Sequence, residues 1–302
     1  MIGSALANSL SGDTCIITRS TKNANRLERK DVKVVVKDIG DVTKRDLVGY
    51  DVIYHCASTV DNYNILTDPF IDVETNVKGT LKLLEACKDL AIKPKFVYIS
   101  TFFVYGNEYT RFKKAVNEES KTDPLALYPA TKLCAESIVK LYSRLYKIPY
   151  LICRLTNVYS DKEVWDNPKK GALNYLIMRA IKGEELAIYK GGNFKRDYIY
   201  VDDVVAAIKF IVDKKICNET FLIGYGKPVF FKDLITYLYQ AVKSTSQIRK
   251  VDPPAFHRLV GITDFSADTK KINRLGWKAK VNYKQGIQKV VNTYKMSREY
   301  SR

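Results

Sequence analysis

Histidine is scarce in this sequence, and the cysteines lack the pairing that metal sites use. His55 and His257 are the only two histidines. The six cysteines are Cys15, Cys56, Cys87, Cys134, Cys153 and Cys217. They form no CxxC pair, and most of them fall within predicted strands or helices. These features argue against a histidine-based metal site, a zinc site and a disulfide framework, so no metal is expected. They favour reduced, buried thiols in a cytosolic protein.

Long apolar runs are also absent. No segment is long enough to span a bilayer, and no signal peptide is recognisable at the start of the sequence. We therefore expect a soluble, cytoplasmic protein without a membrane partner.

Acidic residues are outnumbered by basic ones. The chain has 33 Asp and Glu residues against 50 Lys and Arg residues, which gives a formal net charge of +17. A nucleic-acid partner and a lysine-rich solvated surface would both explain this excess. The basic residues are spread along the chain without a dense block or a nucleic-acid motif, which favours the solvated surface. We expect no nucleic-acid partner.

The length and apolar content are those of an ordinary globular protein. The chain has 302 residues, 46% of them hydrophobic, which is enough for one large domain or two smaller ones. We find no internal repeat, low-complexity tract or linker, so any two lobes should be continuous with one another.

One stretch, from Val97 to Lys132, carries a recognisable chemical pattern. VYISTFFVYG predicts a buried strand that ends near Gly106 and places Thr101 at the edge of a sheet. In the following LYPATK, Tyr128 and Lys132 are four residues apart at the start of a predicted helix, so they share one face. A nearby ammonium group favours the phenolate and should lower the pKa of the tyrosine, while Thr101 can hold a substrate oxygen. The same YxxxK spacing also occurs on ordinary solvated helix faces that have no catalytic role.

STFFVYG followed by YPATK resembles the active-site signature of the extended short-chain dehydrogenase/reductase family, in its NAD(P)-dependent epimerase/dehydratase group. The resemblance implies an α/β fold: a Rossmann-like doubly wound parallel sheet with a smaller C-terminal substrate-binding lobe. It implies a dinucleotide-binding domain over 1–160, to which 197–224 returns, and a lobe mainly over 161–302. It also implies catalytic roles for Thr101, Tyr128 and Lys132, with Tyr128 and Lys132 contacting the cofactor as well.

The opening MIGSALANSL resembles the helix that receives the pyrophosphate of the cofactor in this family. Gly3 matches the last glycine of the GxxGxxG loop, whereas the first strand and the first two glycines are absent. We therefore expect the dinucleotide-binding domain to lack its first strand. Our hypothesis is that the natural protein starts upstream of Met1 or that this chain is a truncated product.

The cofactor is predicted to be NAD or NADP. The strand TCIITRS ends with Thr18 and Arg19 where the family selects its cofactor, and an arginine without an acid there favours NADP. An exposed turn arginine would look the same. Asp38 and Ile39 resemble the family's DI segment, which approaches the adenine.

The segment HCAS resembles the family's HxAA, with Ala57 beside the cofactor. Ser58 replaces the second alanine and is small enough to let the cofactor pass. We assign no acid or base role to His55, because an isolated histidine here is more often a packing residue.

Asn76 resembles the family's helix asparagine near the active site, and three further positions resemble its substrate-binding residues. Asn76, in NVKGT, lies on a helix predicted from Asp68 to about Leu90, whose apolar stripe comprises Val73, Val77, Leu81, Leu84 and Cys87. Asn157 matches RxxNVYGP, although Ser160 and Asp161 replace the glycine and the proline. Arg196 matches an arginine that binds the diphosphate in nucleotide-sugar relatives, for which its planar fork is suited; the alternative is a surface ion pair with Asp197. Arg258 is a further candidate for a phosphate contact.

The same residues permit two hydride-transfer reactions. Returning the hydride to the other face of a keto intermediate makes an epimerase, whereas release of the intermediate makes a net dehydrogenase or, in reverse, a ketoreductase. Dehydratases of the family carry an Asp-Glu pair after the catalytic threonine. Phe102 and Phe103 stand there in this chain and cannot transfer a proton. Arg19 favours a reductase, whereas Asn157 and Arg196 match epimerases.

We therefore predict an NAD(P)-dependent nucleotide-sugar epimerase that resembles UDP-hexose 4-epimerases. The alternatives are an NADPH-dependent 4-keto-sugar reductase and a non-catalytic truncated relative. The resemblance also implies a homodimer formed by the Tyr128 helix and the helix that follows DVIYHCAS.

Overall fold

A computed structural model describes residues 1–21, 27–60, 62–163 and 172–299, with side chains other than those of 111, 112 and 297–299. Strands and helices alternate over the first half of the chain. The strands, in chain order, are β1 (Cys15–Thr18), β2 (Lys33–Val36), β3 (Val52–His55), β4 (Lys95–Thr101), β5 (Tyr150–Leu155), β6 (Asn157–Tyr159), β7 (Leu186–Tyr189), β8 (Lys195–Arg196), β9 (Tyr198–Tyr200), β10 (Glu219–Ile223), β11 (Val229–Phe230) and β12 (Ile248–Val251).

The α-helices are α1 (Ile2–Ser9), α2 (Lys44–Leu47), α3 (Phe70–Asp72), α4 (Gly79–Lys88), α5 (Glu108–Phe112), α6 (Leu127–Tyr146), α7 (Ala172–Lys182), α8 (Val201–Asp213), α9 (Phe231–Val242), α10 (Ala255–Val260), α11 (Lys270–Arg274) and α12 (Tyr283–Glu299). A π-helical segment, Val73–Lys78, joins α3 to α4. Short 3₁₀ turns cover Ile39–Asp41, Asn62–Leu66, Phe102–Tyr105 and Lys190–Gly192.

The chain divides into two compact units. Unit 1 comprises Met1–Val104, Ala126–Leu155 and Val205–Leu222, and unit 2 comprises Tyr105–Leu125, Thr156–Val204 and Ile223–Arg302. Unit 1 holds the strands of the larger sheet. Unit 2 holds several two-stranded pairings.

The main sheet of unit 1 has the strand order β10-β5-β4-β3. β4 pairs in parallel with β3 on one side and with β5 on the other. β4 reads KFVYIST and is buried along almost its whole length, as expected of a central parallel strand that is covered on both faces. β1 and β2 form a separate parallel pair. This arrangement confirms the prediction of an α/β fold with a parallel sheet.

The apolar core of unit 1 lies between this sheet and the helices α4 and α6. Leu84 and Cys87 of α4, Phe96 of β4 and Ile152 of β5 are fully buried in it, together with Ala135 of α6. Burying such side chains is the main favourable contribution to folding, at roughly 1.5 to 3 kcal/mol for each large one. Helix α6 is thereby fixed against β4.

Unit 2 is built from shorter strand pairs. β6 and β9 are parallel, β7 and β12 are parallel, and β8 and β11 are antiparallel. Gly106 begins one of its connections with a positive φ of +55°, and a Cβ there would collide with the carbonyl oxygen of Asp123. Only glycine meets both conditions without strain.

No helix in the described part of the chain is both long enough and apolar enough to cross a membrane.

Candidate active site

The end of β4 and the start of α6 bring two predicted residues together. Thr101 is the last residue of β4, and Tyr128 lies in the first turn of α6, where Pro129 is tolerated because the first helical N–H groups have no partner within the helix. Thr101 is 7% exposed and Tyr128 is 9% exposed. Thr101 and Ser58 are both near enough to the Tyr128 hydroxyl to act to lower its pKa. The phenol therefore has two alcohols in its surroundings.

Lys132 lies one helical turn further along α6 and is only 1% exposed. Its Nζ donates a hydrogen bond to the carbonyl oxygen of Ile99, at 2.6 Å, and lies 4.1 Å from the centre of the Tyr98 ring. Burial lowers the pKa of Lys132 to about 7, although the Glu136 carboxylate and Cys56 act to raise it. Because burial disfavours the charged form, this ammonium group loses its proton far more readily than an exposed lysine.

The pKa of Tyr128 moves in the opposite direction from the one that the sequence pattern predicted. Burial raises it to about 12, the Asp72 carboxylate raises it further, and hydrogen bonds from Thr101 and Ser58 lower it. The expectation of a lowered pKa for Tyr128 is therefore wrong for the protein chain by itself, because the effect of burial is larger than the opposing effects of Thr101 and Ser58.

Asn76 links the loop after β3 to helix α6, which carries Tyr128. Its Oδ1 accepts hydrogen bonds from the Ser58 hydroxyl, at 2.9 Å, and from the backbone N–H of Thr59, at 3.1 Å. Its Nδ2 donates to the hydroxyls of Thr59 and Thr131, at 2.9 and 3.0 Å. The Thr131 hydroxyl donates to the carbonyl oxygen of Tyr128, at 2.9 Å. The amide of Asn76 is fully used in aligning the tyrosine with the loop after β3.

Asp72 is a functional candidate that the sequence reasoning missed. It is 1% exposed, and its Oδ1 accepts hydrogen bonds from the Thr59 hydroxyl and from Nδ2 of Asn64. No hydrogen-bond partner for its buried Oδ2 is found among the described residues. The available signal was its spacing: Asp72 precedes Asn76 by four residues, which places both on one helical face. Ser58 was identified only as a small residue.

A buried ion pair joins helix α6 to strand β5 next to Lys132. The Arg154 guanidinium of β5 contacts the Glu136 carboxylate of α6, with Nη2 to Oε2 at 2.7 Å and Nε to Oε1 at 3.1 Å. The Ser100 hydroxyl donates to the same carboxylate at 2.5 Å. Glu136 lies one turn beyond Lys132, so this pair holds the lysine turn of α6 against the sheet.

Residues predicted to bind the dinucleotide lie at the ends of β1, β2 and β3. Gly3 is in the first turn of α1, and a Cβ there would lie 3.5 Å from Cβ of Cys56, directly after β3. Ala57 follows and is exposed. The N-cap of α1, Met1, makes no side-chain capping bond, and the first turn has no acidic residue. The backbone N–H groups of this turn thus face no competing side-chain anion from their own turn.

Arg19 and Asp38 lie close to each other after β1 and β2. Nε of Arg19 is 4.0 Å from Oδ2 of Asp38, and both side chains are largely exposed. Oδ1 of Asp38 accepts the N–H of Gly40 at 2.8 Å. Ile39 packs against Gly79, where a Cβ would lie 2.9 Å from Cγ2 of Ile39. Arg19 therefore has a carboxylate beside it, which the sequence pattern alone did not indicate.

The predicted substrate residues lie in unit 2. Arg196 donates from Nη2 to the carbonyl oxygen of Ile262 and from Nη1 to that of Lys195, the latter at 3.2 Å. Its guanidinium carbon is 5.1 Å from the centre of the Phe194 ring. Burial lowers the pKa of Arg196 to about 10. The residue is thus held by backbone carbonyls and an aromatic face.

The carboxylate of Asp197 is occupied by other groups. It accepts the N–H groups of Tyr225 and Gly226, each at 2.8 Å, and the Thr156 hydroxyl at 3.1 Å. Burial nevertheless raises the pKa of Asp197 to about 6. The alternative assignment of Arg196 to an ion pair with Asp197 has no contact to support it among the described residues. Asn157 donates from its side chain to the carbonyl oxygen of Asp197 at 2.9 Å.

Arg258 lies on α10 and donates from Nη1 to the carbonyl oxygen of Pro253 at 3.1 Å. The pKa of its neighbour His257 is lowered by burial and by the positive charge of Arg196. Arg196 is therefore close to α10. Unit 2 brings this arginine and the helix that carries Arg258 together.

The residues of unit 1 fit a dinucleotide. An uncapped helix N-terminus suits a pyrophosphate. The buried Lys132 ammonium has three N–H bonds, one of which it donates to the carbonyl oxygen of Ile99. Among the described residues, no group of His, Cys, Asp and Glu side chains is arranged to hold a metal ion.

Comparison with known proteins gives consistent matches. The NAD dependent epimerase/dehydratase family matches residues 1–224. A protein of Methanocaldococcus jannaschii that carries the provisional name UDP-glucose 4-epimerase is 30% identical over 282 residues, covering 91% of this chain and 88% of the relative.

Two solved structures are similar over nearly their full lengths. The UDP-glucose 4-epimerase of Thermotoga maritima, solved with UDP-glucose, is 25% identical with a TM-score of 0.89. The UDP-glucuronic acid 4-epimerase of Bacillus cereus, solved with UDP-glucuronic acid and NAD, is 26% identical with a TM-score of 0.87. Each match covers 98% of this chain and 96% of the other.

These matches confirm the Rossmann-like fold and the resemblance that the strand and helix motifs indicated. They also confirm the prediction of an enzyme. The chain belongs to the NAD-dependent epimerase/dehydratase family, within the extended short-chain dehydrogenases.

Proposed function

We propose that the protein is an NAD-dependent nucleotide-sugar epimerase that inverts a secondary alcohol, with C4 of a UDP-hexose as the reacting carbon. The observation that carries this proposal is the placement of three buried residues: Thr101 at the end of β4, Tyr128 in the first turn of α6, and Lys132 one turn further along that helix. The similarity to proteins named as UDP-glucose and UDP-glucuronic acid 4-epimerases supports the substrate class.

In the proposed reaction Tyr128 takes the proton of the C4 hydroxyl and later returns it to the oxygen of the product. Thr101 orients that oxygen, and Asn76 fixes the backbone of the tyrosine through Thr131. NAD, when bound, supplies a reversible hydride acceptor. Gly3, Asp38, Ile39, Ala57 and Lys132 would hold it. Inversion requires the keto sugar to rotate within the site, so that the hydride returns to the opposite face of the carbonyl carbon.

The electrostatics of the site suit a Tyr128 that becomes an effective base only when the cofactor is bound. With a pKa of about 12, Tyr128 keeps its proton at neutral pH in the chain by itself. A positive charge placed beside it would favour the phenolate. The acid strength of Tyr128 should therefore depend on cofactor binding.

Dehydration is disfavoured by the residues after Thr101. Phe102 is 1% exposed, and its ring centre is 4.4 Å from that of Phe103. Neither ring can donate or accept the proton that elimination of water requires.

A 4-keto-sugar reductase that uses NADPH is the second candidate and has less support. Arg19 favours it, since a guanidinium can pair with the extra phosphate of NADP, but Asp38 beside Arg19 can instead accept hydrogen bonds from a ribose hydroxyl. NAD is supported by the family and by the relatives solved with NAD. The preference for NADP stays a prediction, as does the third possibility of a non-catalytic relative.

We assign the dinucleotide cofactor to unit 1. We assign the nucleotide diphosphate of the substrate to unit 2, with Asn157, Arg196 and Arg258 as contacts. Arginine donates paired hydrogen bonds to phosphate, and unit 2 already places Arg196 near α10. The predicted boundaries, 1–160 with 197–224 and 161–302, remain proposals.

A homodimer is proposed from an apolar surface on unit 1. Large side chains are exposed near α3 and on α6: Leu66 at 61%, Phe70 at 73%, Leu141 at 41% and Leu145 at 61%. Exposed apolar groups on these helices favour a protein partner. Analytical ultracentrifugation should give twice the chain mass, and Phe70→Lys should reduce it. We also propose a cytoplasmic location, because all six cysteines are free thiols.

The experiment that tests the function is a substrate panel. The protein is incubated with UDP-glucose, UDP-galactose, UDP-N-acetylglucosamine, UDP-glucuronic acid and a UDP-4-keto sugar, with and without NAD and NADPH. Products are resolved by mass and retention. A new isomer of unchanged mass supports the epimerase. Consumption of NADPH with a 4-keto sugar supports the reductase, and absence of both products and bound cofactor supports the binding protein.

A further inference from the structure

Asp197 is a buried carboxylate at the junction of two strand pairings in unit 2. It lies between β8, whose Arg196 is opposite Val229 of β11, and β9, which pairs in parallel with β6. The residue is 0% exposed. Burying an ionised carboxylate is costly unless other groups donate hydrogen bonds to it, so the donors around Asp197 indicate which segments it holds in place.

The carboxylate binds the two chain segments that lead into the partner strands. In the loop before β11, the N–H of Tyr225 donates to Oδ1 and the N–H of Gly226 donates to Oδ2, each at 2.8 Å. The hydroxyl of Thr156, the residue before β6, donates to Oδ1 at 3.1 Å. A single side chain therefore fastens β11 beside β8 and β6 beside β9.

The backbone of Asp197 is held as well. Its carbonyl oxygen accepts the backbone N–H of Asn157 at 3.1 Å and the side-chain amide of the same residue at 2.9 Å. The loop after β10 fits closely around the carboxylate, because a Cβ at Gly224 would lie 2.8 Å from Oδ1 of Asp197. Asp197 is thus anchored through both its side chain and its main chain.

Arg196, the preceding residue, combines a fixed backbone with exchangeable side-chain contacts. Its guanidinium donates to the carbonyl oxygens of Ile262 and Lys195, which are neutral acceptors. A phosphate is a stronger acceptor for the same N–H groups. Paired hydrogen bonds from the planar guanidinium to a phosphate have a strict geometry, so they require a backbone that is held at a defined position.

We propose that Asp197 is a positioning residue for the binding of a nucleotide diphosphate: its carboxylate anchors the backbone that carries Arg196, so that the guanidinium reaches the phosphates. This inference deepens the proposed function and rests on it, because the diphosphate is that of the nucleotide sugar. Asp197 acts through Arg196 and not by touching the ligand, since both of its carboxylate oxygens accept hydrogen bonds from the protein.

The donors around Asp197 define the substitutions that test this role. Asp197→Asn keeps the size of the side chain but replaces one acceptor oxygen with an NH₂ group. Because each oxygen accepts a backbone N–H, that NH₂ group faces another donor in either orientation of the amide. Thr156→Val is milder, since it removes one hydroxyl and leaves both N–H bonds, whereas Thr156→Ser keeps the hydroxyl. Asp202→Asn, at an exposed acid that pairs with Lys289, is the matched control.

Binding of UDP, measured by isothermal titration calorimetry, tests the inference without turnover. Asp197→Asn should raise the Kd for UDP about tenfold and Thr156→Val about threefold, as expected when a buried hydrogen bond is lost. Thr156→Ser and Asp202→Asn should keep the parental Kd. The Kd for NAD should stay at the parental value in all four variants.

The same substitutions in an Arg196→Ala background separate positioning from a general structural role. If Asp197 acts through Arg196, neither Asp197→Asn nor Thr156→Val should weaken UDP binding further in this background, because the effects of coupled residues are not additive. A loss of UDP affinity that persists in full without Arg196, or an equal loss of NAD affinity, would overturn the inference. Thr156→Val carries this test if Asp197→Asn does not fold.

The side chain of Arg196 provides a readout that needs no ligand. Its Nε–H signal in ¹⁵N NMR, assigned by its disappearance in Arg196→Lys, should shift in Asp197→Asn and Thr156→Val and stay in place in Asp202→Asn. An unchanged signal in the first two variants would contradict the proposal. If the parent protein binds no UDP, the proposed function fails, while this signal still decides whether Asp197 positions the arginine.

Discussion

The tyrosine site of unit 1 and the arginine site of unit 2 are held in different ways. Around Tyr128, side chains bond to one another: Asn76 alone contacts Ser58, Thr59 and Thr131. Arg196 and Arg258 instead donate to backbone carbonyl oxygens, those of Ile262, Lys195 and Pro253. A network of side chains fixes the positions of the reacting groups. An arginine bonded to carbonyl oxygens can instead exchange these oxygens for a stronger, anionic acceptor.

This contrast teaches where precision is required. Proton transfer depends strongly on the distance between heavy atoms, so its residues need a closed network. Binding of a diphosphate tolerates adjustment, because charge-assisted hydrogen bonds to an anion are stronger than those to a neutral carbonyl. Variants of unit 1 should therefore affect kcat or stability, and variants of unit 2 should affect KM.

The largest effect is expected from Tyr128→Phe. Loss of the acid-base group should lower kcat by about 10³-fold, within the range for general acid-base catalysis. NAD binding, measured by fluorescence titration, should change little because the ring remains. Tyr237→Phe, on α9 in unit 2, is the matched control and should keep full activity. Activity of Tyr128→Phe equal to that of the parent would exclude this residue as the base.

The next largest effect concerns the ion pair beneath the lysine. Arg154→Met should destabilise the protein by about 3 to 5 kcal/mol, because it leaves the buried Glu136 carboxylate without its partner. The double variant Arg154→Met, Glu136→Leu should recover much of this loss, since it removes the uncompensated charge. Urea denaturation measures both. A loss below about 1 kcal/mol in the single variant would show that the pair contributes no more than a surface pair.

A smaller effect is expected at the arginine site. Arg196→Ala should raise KM for the nucleotide sugar about 10- to 100-fold with little change in kcat, as expected for loss of a charged hydrogen bond. Arg196→Lys should recover only part of the loss, since it keeps the charge without the planar fork. Arg249→Ala removes an exposed arginine of unit 2 that pairs with Glu185 and should be neutral. A fall in kcat at constant KM in Arg196→Ala would contradict the contrast between the two units.

The last effect is a pH dependence of stability that originates at His55. Burial lowers its pKa to about 3, well below the ordinary value of 6.5. The unfolded chain therefore binds a proton below pH 6.5 that the folded chain refuses, and stability falls as pH decreases from 6.5 toward 3, by about 1.4 kcal/mol per pH unit.

His55→Gln, which can still bond to Thr80, should remove this contribution. Urea denaturation at pH 7, 6 and 5 measures the difference between parent and variant. Equal slopes for the two proteins would show that His55 is protonated in the folded state.

Much of the unit 1 fold followed from local patterns. The β-branched runs predicted β1 to β5, and the four-residue spacing placed Tyr128 and Lys132 on one face of α6. The helix that carries Asn76 was predicted as regular, with Val73 and Leu81 on its buried stripe. Both are exposed, at 39% and 37%, and the segment Val73–Lys78 is π-helical, whereas the prediction assumed the regular α-helical period.

The sequence could not reveal which residues surround Asn76. In the π segment, Asn76 contacts the loop residues Ser58 and Thr59. Contacts between residues so far apart in sequence are set by packing. The pKa of Tyr128 was predicted in the wrong direction for a related reason, because spacing shows which charge is near but not how deeply a group is buried.

The most direct test of the account follows a label at the reacting carbon. UDP-glucose carrying deuterium at C4 is incubated with the protein and NAD, and the product is analysed by mass spectrometry and NMR. The account predicts UDP-galactose that retains the deuterium at C4, with no conversion by the Tyr128→Phe variant. Product in which the deuterium has been replaced by solvent hydrogen, or label retention with full conversion by that variant, would contradict it.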